Sequence, residues 1–104
     1  MISDDEIRQI IKDKKRERDG DNAELSSNSI EFYKQGIKRI YKNVISNNNK
    51  IRKKKLEPKL FEINKIDIIN NIKEYENPKV KTNLYSSLYA FTNDIDYQNL
   101  AVEK

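Results

Sequence analysis

The chain has 104 residues, 36% hydrophobic and 37% charged, with a formal net charge of +4, which suits one small domain with a modest core and no deep enclosed pocket. It contains no histidine and no cysteine, so disulfides, thiolate metal sites and every nucleophile arrangement built on Ser/His or Cys/His are excluded. No stretch is apolar enough to span a bilayer, and the acidic N-terminus lacks the basic-then-apolar layout of a signal peptide, so the expected setting is intracellular.

Ser3-Asp4-Asp5-Glu6 has capping-box spacing and predicts a first helix from Asp4 to about Arg18 that buries Ile7, Ile10 and Ile11. The second half of that helix, KDKKRERD, is charged on all sides, so fraying or projection from the body is expected. Gly20-Asp21-Asn22 ends it, and residues 1–24 read as an N-terminal helix and linker. Next comes LSSNSIEFYKQGIKRIYKNV, residues 25–44. Ser26 is a good N-cap, and Ile30, Tyr33, Ile37, Ile40, Tyr41 and Val44 recur at three- and four-residue steps, predicting a helix from about Ser27 to about Ser46. Gly36 in its interior costs up to about 1 kcal/mol relative to alanine, a cost that a close-packed neighbour would explain. Phe32 lies off the stripe and is expected to pack beneath the first helix.

SNNNKIRKKKLEPK, residues 46–59, reads as a basic loop, with Pro58 opposing helix at the residue before it. Phe61 and Ile63 are expected to anchor the returning chain. A third helix is predicted from Lys65 to Tyr75, using Ile66, Ile69, Ile72 and Tyr75. Asn77-Pro78 has the form of N-cap and first position of a fourth helix, whose apolar stripe is Leu84, Leu88, Phe91 and Ile95. Asp96 to Lys104 has no periodicity and reads as a tail or the start of a linker. The class is all-α, a small bundle of four to five short helices.

Charge is unevenly spread along these elements. Residues 26–83 hold 14 Lys/Arg against 6 Asp/Glu, whereas both flanks hold more acids than bases. Such a block attracts polyanions, most often nucleic acid. Abundant Asn, Ile, Lys and Tyr also match A/T-rich codons, which argues against reading function into every lysine.

In the second helix Lys38, Arg39 and Lys42, with Lys34 at the margin, could reach backbone phosphates; the plainer reading is a solvated charged face. On the fourth helix the face opposite Leu88 and Phe91 carries Lys79, Thr82, Asn83, Ser86, Ala90 and Asn93. Short polar side chains there allow close approach to a groove and can donate to phosphates or base edges. Contact with another helix would need the same small residues. In the loop, Arg52, Lys53 and Lys54 would add salt-dependent phosphate contacts without reading sequence. The 6 tyrosines have no histidine or arginine cluster around them and are read as packing residues.

The order of these pieces resembles the core-binding domain of tyrosine recombinases, the phage-integrase family. Leu25-Ser26-x-Asn28-Ser29-Ile30-x-x-Tyr33 with Ile37 and Ile40 is similar to that domain's opening, with Ser29 where threonine is usual. Phe61 and the run from Ile63 to Ile69 fit its middle. Pro78 to Phe91, with Thr82, resembles its last helix. The resemblance spans residues 25–95 and implies a SAM-like bundle that clamps one face of duplex DNA. It also implies as partners a separate catalytic domain, which carries the family's arginines, lysine, histidines and tyrosine nucleophile, and neighbouring protomers on the DNA.

Together these features predict a non-catalytic DNA-binding domain serving site-specific recombination or integration, with no cofactor, no metal, no small-molecule ligand and no membrane partner. The expected DNA contacts are Ser29, Lys34, Lys38, Arg39, Lys42, Arg52, Lys53, Lys54, Lys79, Lys81, Thr82, Asn83 and Ser86. Two alternatives share the pattern: a helical protein–protein module with a basic surface, and an RNA-binding helical domain, against which stands the lack of an expected exposed aromatic pair.

Overall fold

The computed structural model describes residues 4–45 and 58–102. Within these residues six α-helices follow one another: α1 (Asp4–Asp19), α2 (Ser27–Ile40), α3 (Pro58–Ile63), α4 (Lys65–Lys73), α5 (Pro78–Thr92) and α6 (Ile95–Val102), with a π-helical turn, Tyr41–Ile45, extending α2. Among the described residues there is no strand, and no helix is long and apolar enough to cross a membrane.

Local chemistry sets the helix starts. Ser26 Oγ accepts a hydrogen bond from the Ser29 N–H at 3.2 Å, and Asn77 Oδ1 accepts one from the Lys79 N–H at 2.9 Å, with Pro78 as the first helical residue. Both side chains satisfy donors that a helix N-terminus leaves without a partner. At the other end of α5, Asn93 adopts the left-handed conformation, φ 60°, and its N–H returns to the Tyr89 carbonyl.

The buried interior joins Ile7 and Ile11 of α1, Ile30, Ile37 and Ile40 of α2, Phe61 of α3, Ile68 and Ile72 of α4, and Leu84, Leu88 and Phe91 of α5. Helix α5 is the hub, touching every other helix. Phe61 meets Phe91 edge-on, with ring centroids 5.0 Å apart.

Several expectations are corrected here. The highly charged half of α1 neither frays nor projects. Intrahelical pairs such as Lys15–Asp19 and Lys14–Glu17 lace it together. Its end then docks on α5: Arg18 donates to Asn93 Oδ1 and to the Ala90 carbonyl, and its guanidinium lies 5.0 Å from the centre of the Tyr89 ring. Asn93 answers by donating to the Lys14 carbonyl at 3.1 Å. Residues 4–19 therefore belong to the same body as the rest. Ile66 is 75% exposed, because α4 turns Ile68 and Ile72 inward instead, and Ile63, at the end of α3, is also outside, leaving Phe61 as the buried residue of that helix. Ile95 likewise leaves the α5 stripe, since the chain turns at Asn93 before reaching it.

The supposed tail is helix α6. Its main anchor is one aromatic residue: Tyr97 is wholly buried and donates to the Phe61 carbonyl at 3.0 Å, with Leu100 and Ala101 half-buried against the core beside it. Burial, with Asp94 and Asp96 nearby, raises its phenol well above the ordinary range. Lys65 bridges Asp94 at 2.9 Å and Asp96, pinning the start of α4 to the start of α6.

Candidate nucleic-acid interface

The site begins at the crossing of α2 and α5. A Cβ added at Gly36 would lie 2.2 Å from Ser87 Oγ and 2.6 Å from Ser87 Cβ, so the two helices approach as closely as only glycine permits. Ser87 is buried, and its hydroxyl donates to the Asn83 carbonyl at 2.9 Å. The neighbour expected of Gly36 is this serine.

Beside the crossing opens a groove of about 680 Å³. Phe32, Gln35, Lys38 and Arg39 line it from α2, Tyr41, Lys42 and Asn43 from the π turn, and Val80, Asn83 and Leu84 from α5, over the buried Ile7. Among the described residues, no acidic one lines it. The wider π turn continues the α2 wall, bringing Tyr41, Lys42 and Asn43 alongside residues of the preceding helix.

Lys38, Arg39 and Lys42 thus share one groove with Asn83, and Lys79 stands one turn before Asn83 on α5, exposed. Thr82, exposed, and Ser86, half-buried, form the adjoining shoulder of the helix. Ser29 lies on the same face of α2 as Phe32 and Gly36, but seven residues before Gly36, or about 10 Å along the axis. There its hydroxyl accepts from Ser26 Oγ at 3.0 Å. Lys81 is half-buried and about 200° round the helix from Asn83, away from the groove. Arg52, Lys53 and Lys54 lie outside the described residues.

Lys34 departs most from expectation. It is only 4% exposed, covered by α1, and its ammonium sits 2.7 Å from Glu31 and 3.5 Å from Asp4. The hydrogen bond that the Lys34 ammonium donates to the Glu31 carboxylate raises the Lys34 pKa against the opposing effect of desolvation. Glu31 is in turn held below the usual glutamate range, first by Arg8, whose Nε lies 2.6 Å away, and then by Lys34. These charges serve the α1–α2 seam. The acidic first turn of α1 reaches further still: Asp4 Oδ1 is 3.0 Å from Lys38 Nζ, and that hydrogen bond is the main cause lowering the Asp4 pKa. Lys38 therefore lines the groove while being paired at its rim.

The expected small-polar face of α5 is divided in the same way. Ala90 is buried and Asn93 is bonded to α1, so that end is a helix contact rather than an open surface. Phe32 is the residue the sequence placed least well. It is 45% exposed on the groove wall, edge-on to Tyr33 at 5.6 Å, and not beneath α1. Its position off the apolar stripe of α2 was the signal.

No protein-family model matches the chain, and no curated protein and no solved structure is significantly similar to it.

Proposed function

We propose that the chain is a non-catalytic module that binds duplex DNA along the α2–α5 groove. One observation carries this reading: in a chain with 17 acidic residues, none of the described residues lining the groove is acidic, while Lys38, Arg39 and Lys42 line it and Asp4, at the rim on Lys38, brings a carboxylate near. Cations gathered in this way neutralise phosphates and release condensed counterions, which supplies sequence-independent affinity. The amides of Gln35 and Asn83 stand beside them, suited to phosphate oxygens or base edges. Lys79 would extend the contact along α5.

The finer reading is a core-binding module like that of the tyrosine recombinases, holding DNA for strand cleavage carried out by a separate catalytic domain. It is supported by the order of the Leu25–Tyr33, Phe61–Ile69 and Pro78–Phe91 segments and by an all-helical fold. The proposed module uses no cofactor and acts inside the cell.

Fluorescence anisotropy of the chain with a mixed-sequence duplex, from low to physiological salt, tests the proposal. Binding should weaken with a log–log slope of several units. Lys38→Ala and Lys79→Ala should each weaken binding and shallow that slope by up to about one. Unchanged affinity in the double variant would overturn the proposed surface.

A further inference from the structure

The groove offers more than phosphates require. A duplex presents its sugar–phosphate backbone first, and cations with amides suffice to hold it. Yet Phe32, 45% exposed, stands on the groove wall with Val80 and Leu84 opposite on α5 and Tyr41 along the same wall. An open aromatic face beside Lys38 and Arg39 is the combination that holds an unpaired nucleobase: the ring stacks, and the cations take the flanking phosphates. Gln35 and Asn83 add amides that could meet a base edge once it is unstacked, while the Asn43 amide donates to the Tyr75 hydroxyl at 3.2 Å.

Resting on the DNA-binding reading above, we infer that the α2–α5 groove receives an unpaired base of the bound strand, with Phe32 as its stacking platform. Charge complementarity identifies the occupant as anionic, and the exposed ring identifies it as one with a flat face to cover. An acidic amphipathic helix would satisfy the charge and the apolar wall, but has no particular use for the Gln35 and Asn83 amides. The module therefore prefers DNA with a locally open strand, such as a bulge or a fork, over the uninterrupted duplex.

The test compares three labelled probes of one sequence by anisotropy: a full duplex, the same duplex with a three-nucleotide bulge, and the single strand. A glutamate- and leucine-rich helical peptide serves as a fourth probe. The wild-type chain should bind the bulged duplex at least about fivefold more tightly than the full duplex, the lower end of what base–aromatic stacking supplies. Phe32→Ala and Phe32→Leu should erase that preference, so that bulged and full duplex bind alike, and Phe32→Tyr should keep it. Because Phe32 is exposed, circular dichroism should find the variants as helical as the wild type.

Equal affinity for full and bulged duplex would overturn the inference and leave the DNA surface standing. A preference that survives Phe32→Leu would also overturn it. Binding of the peptide alone, lost in Phe32→Ala, would assign the groove to a protein partner and overturn both readings, as would no binding to any probe.

Discussion

The two halves of α5 carry similar outer residues and meet opposite fates. At the C-terminal end Ala90 and Asn93 are covered: Arg18 of α1 donates to both, and Asn93 returns a hydrogen bond to the Lys14 carbonyl. At the N-terminal end Lys79 and Thr82 are exposed, and Asn83 borders a groove whose described lining residues include no acid. A small polar face therefore indicates that something approaches closely, without saying what. At one end the visitor is part of the chain; at the other, the visitor proposed for the lysines and arginine around the groove is an anion from outside, with Asp4 of α1 already on Lys38.

The comparison can be broken first at its common support. Phe91, wholly buried against Phe61, anchors both halves of α5, and Phe91→Ala should cost about 3–5 kcal/mol in urea unfolding. That is a large share of what a domain of this size has, so both the α1 contact and the groove should be lost with it. A cost below about 1 kcal/mol would show that α5 is not the hub.

Gly36→Ala separates the helices locally. The new Cβ would overlap Ser87, and overpacking of this kind costs about 1–3 kcal/mol despite the better helix propensity of alanine. Adding Ser87→Gly removes the obstructing Cβ and should recover part of the loss. If Gly36→Ala stabilises the chain, the close crossing is wrong.

Arg18→Ala acts on the covered half alone. It removes a contact with the Tyr89 ring and the bonds to Asn93 and Ala90, and should cost about 1 kcal/mol with no change in DNA affinity. A matching loss of affinity would join the two halves into one surface. Glu31→Gln loosens the α1–α2 seam beside the groove and should lower the melting temperature at neutral pH. Because the folded-state pKa of Glu31 lies below its ordinary value of 4.5, its contribution is present above that value. It fades as pH falls through the depressed pKa. The gap between variant and wild type should therefore close in acid, and a gap that persists at pH 2 would remove the ion pairs from the account.

Much of the fold was legible where local chemistry decides. Ser26 and Asn77-Pro78 mark helix starts because caps act within a few residues, and Ile30–Ile37–Ile40 and Leu84–Leu88–Phe91 show their buried faces by period. The failures share a cause, which is that a neighbour chose. Ile66 and Ile68 could each have led α4 inward, and the chain path from Phe61 selected Ile68. Residues 96–102 are too few to show a stripe: Tyr97, with Leu100 and Ala101 half-buried beside it, makes a single turn's worth of apolar face, and the Phe61 carbonyl it reaches lies 36 positions away. Lys34 and Lys38 look alike one turn apart on α2. Only the placement of Asp4 and Glu31 shows that one is sealed in the seam and the other stands at the groove. In the site, Lys38, Arg39, Lys42 and Asn83 were readable from helical faces, whereas Phe32, Tyr41 and Asn43 required the α2–α5 crossing and the π turn.

The most direct measurement is an amide chemical-shift titration of the isotope-labelled chain with a short duplex. The account predicts shifts concentrated at residues 38–43 and 79–83, with Arg18, Asn93 and α6 nearly still. Shifts centred on α6 or the outer face of α1, with the groove residues unmoved, would contradict it.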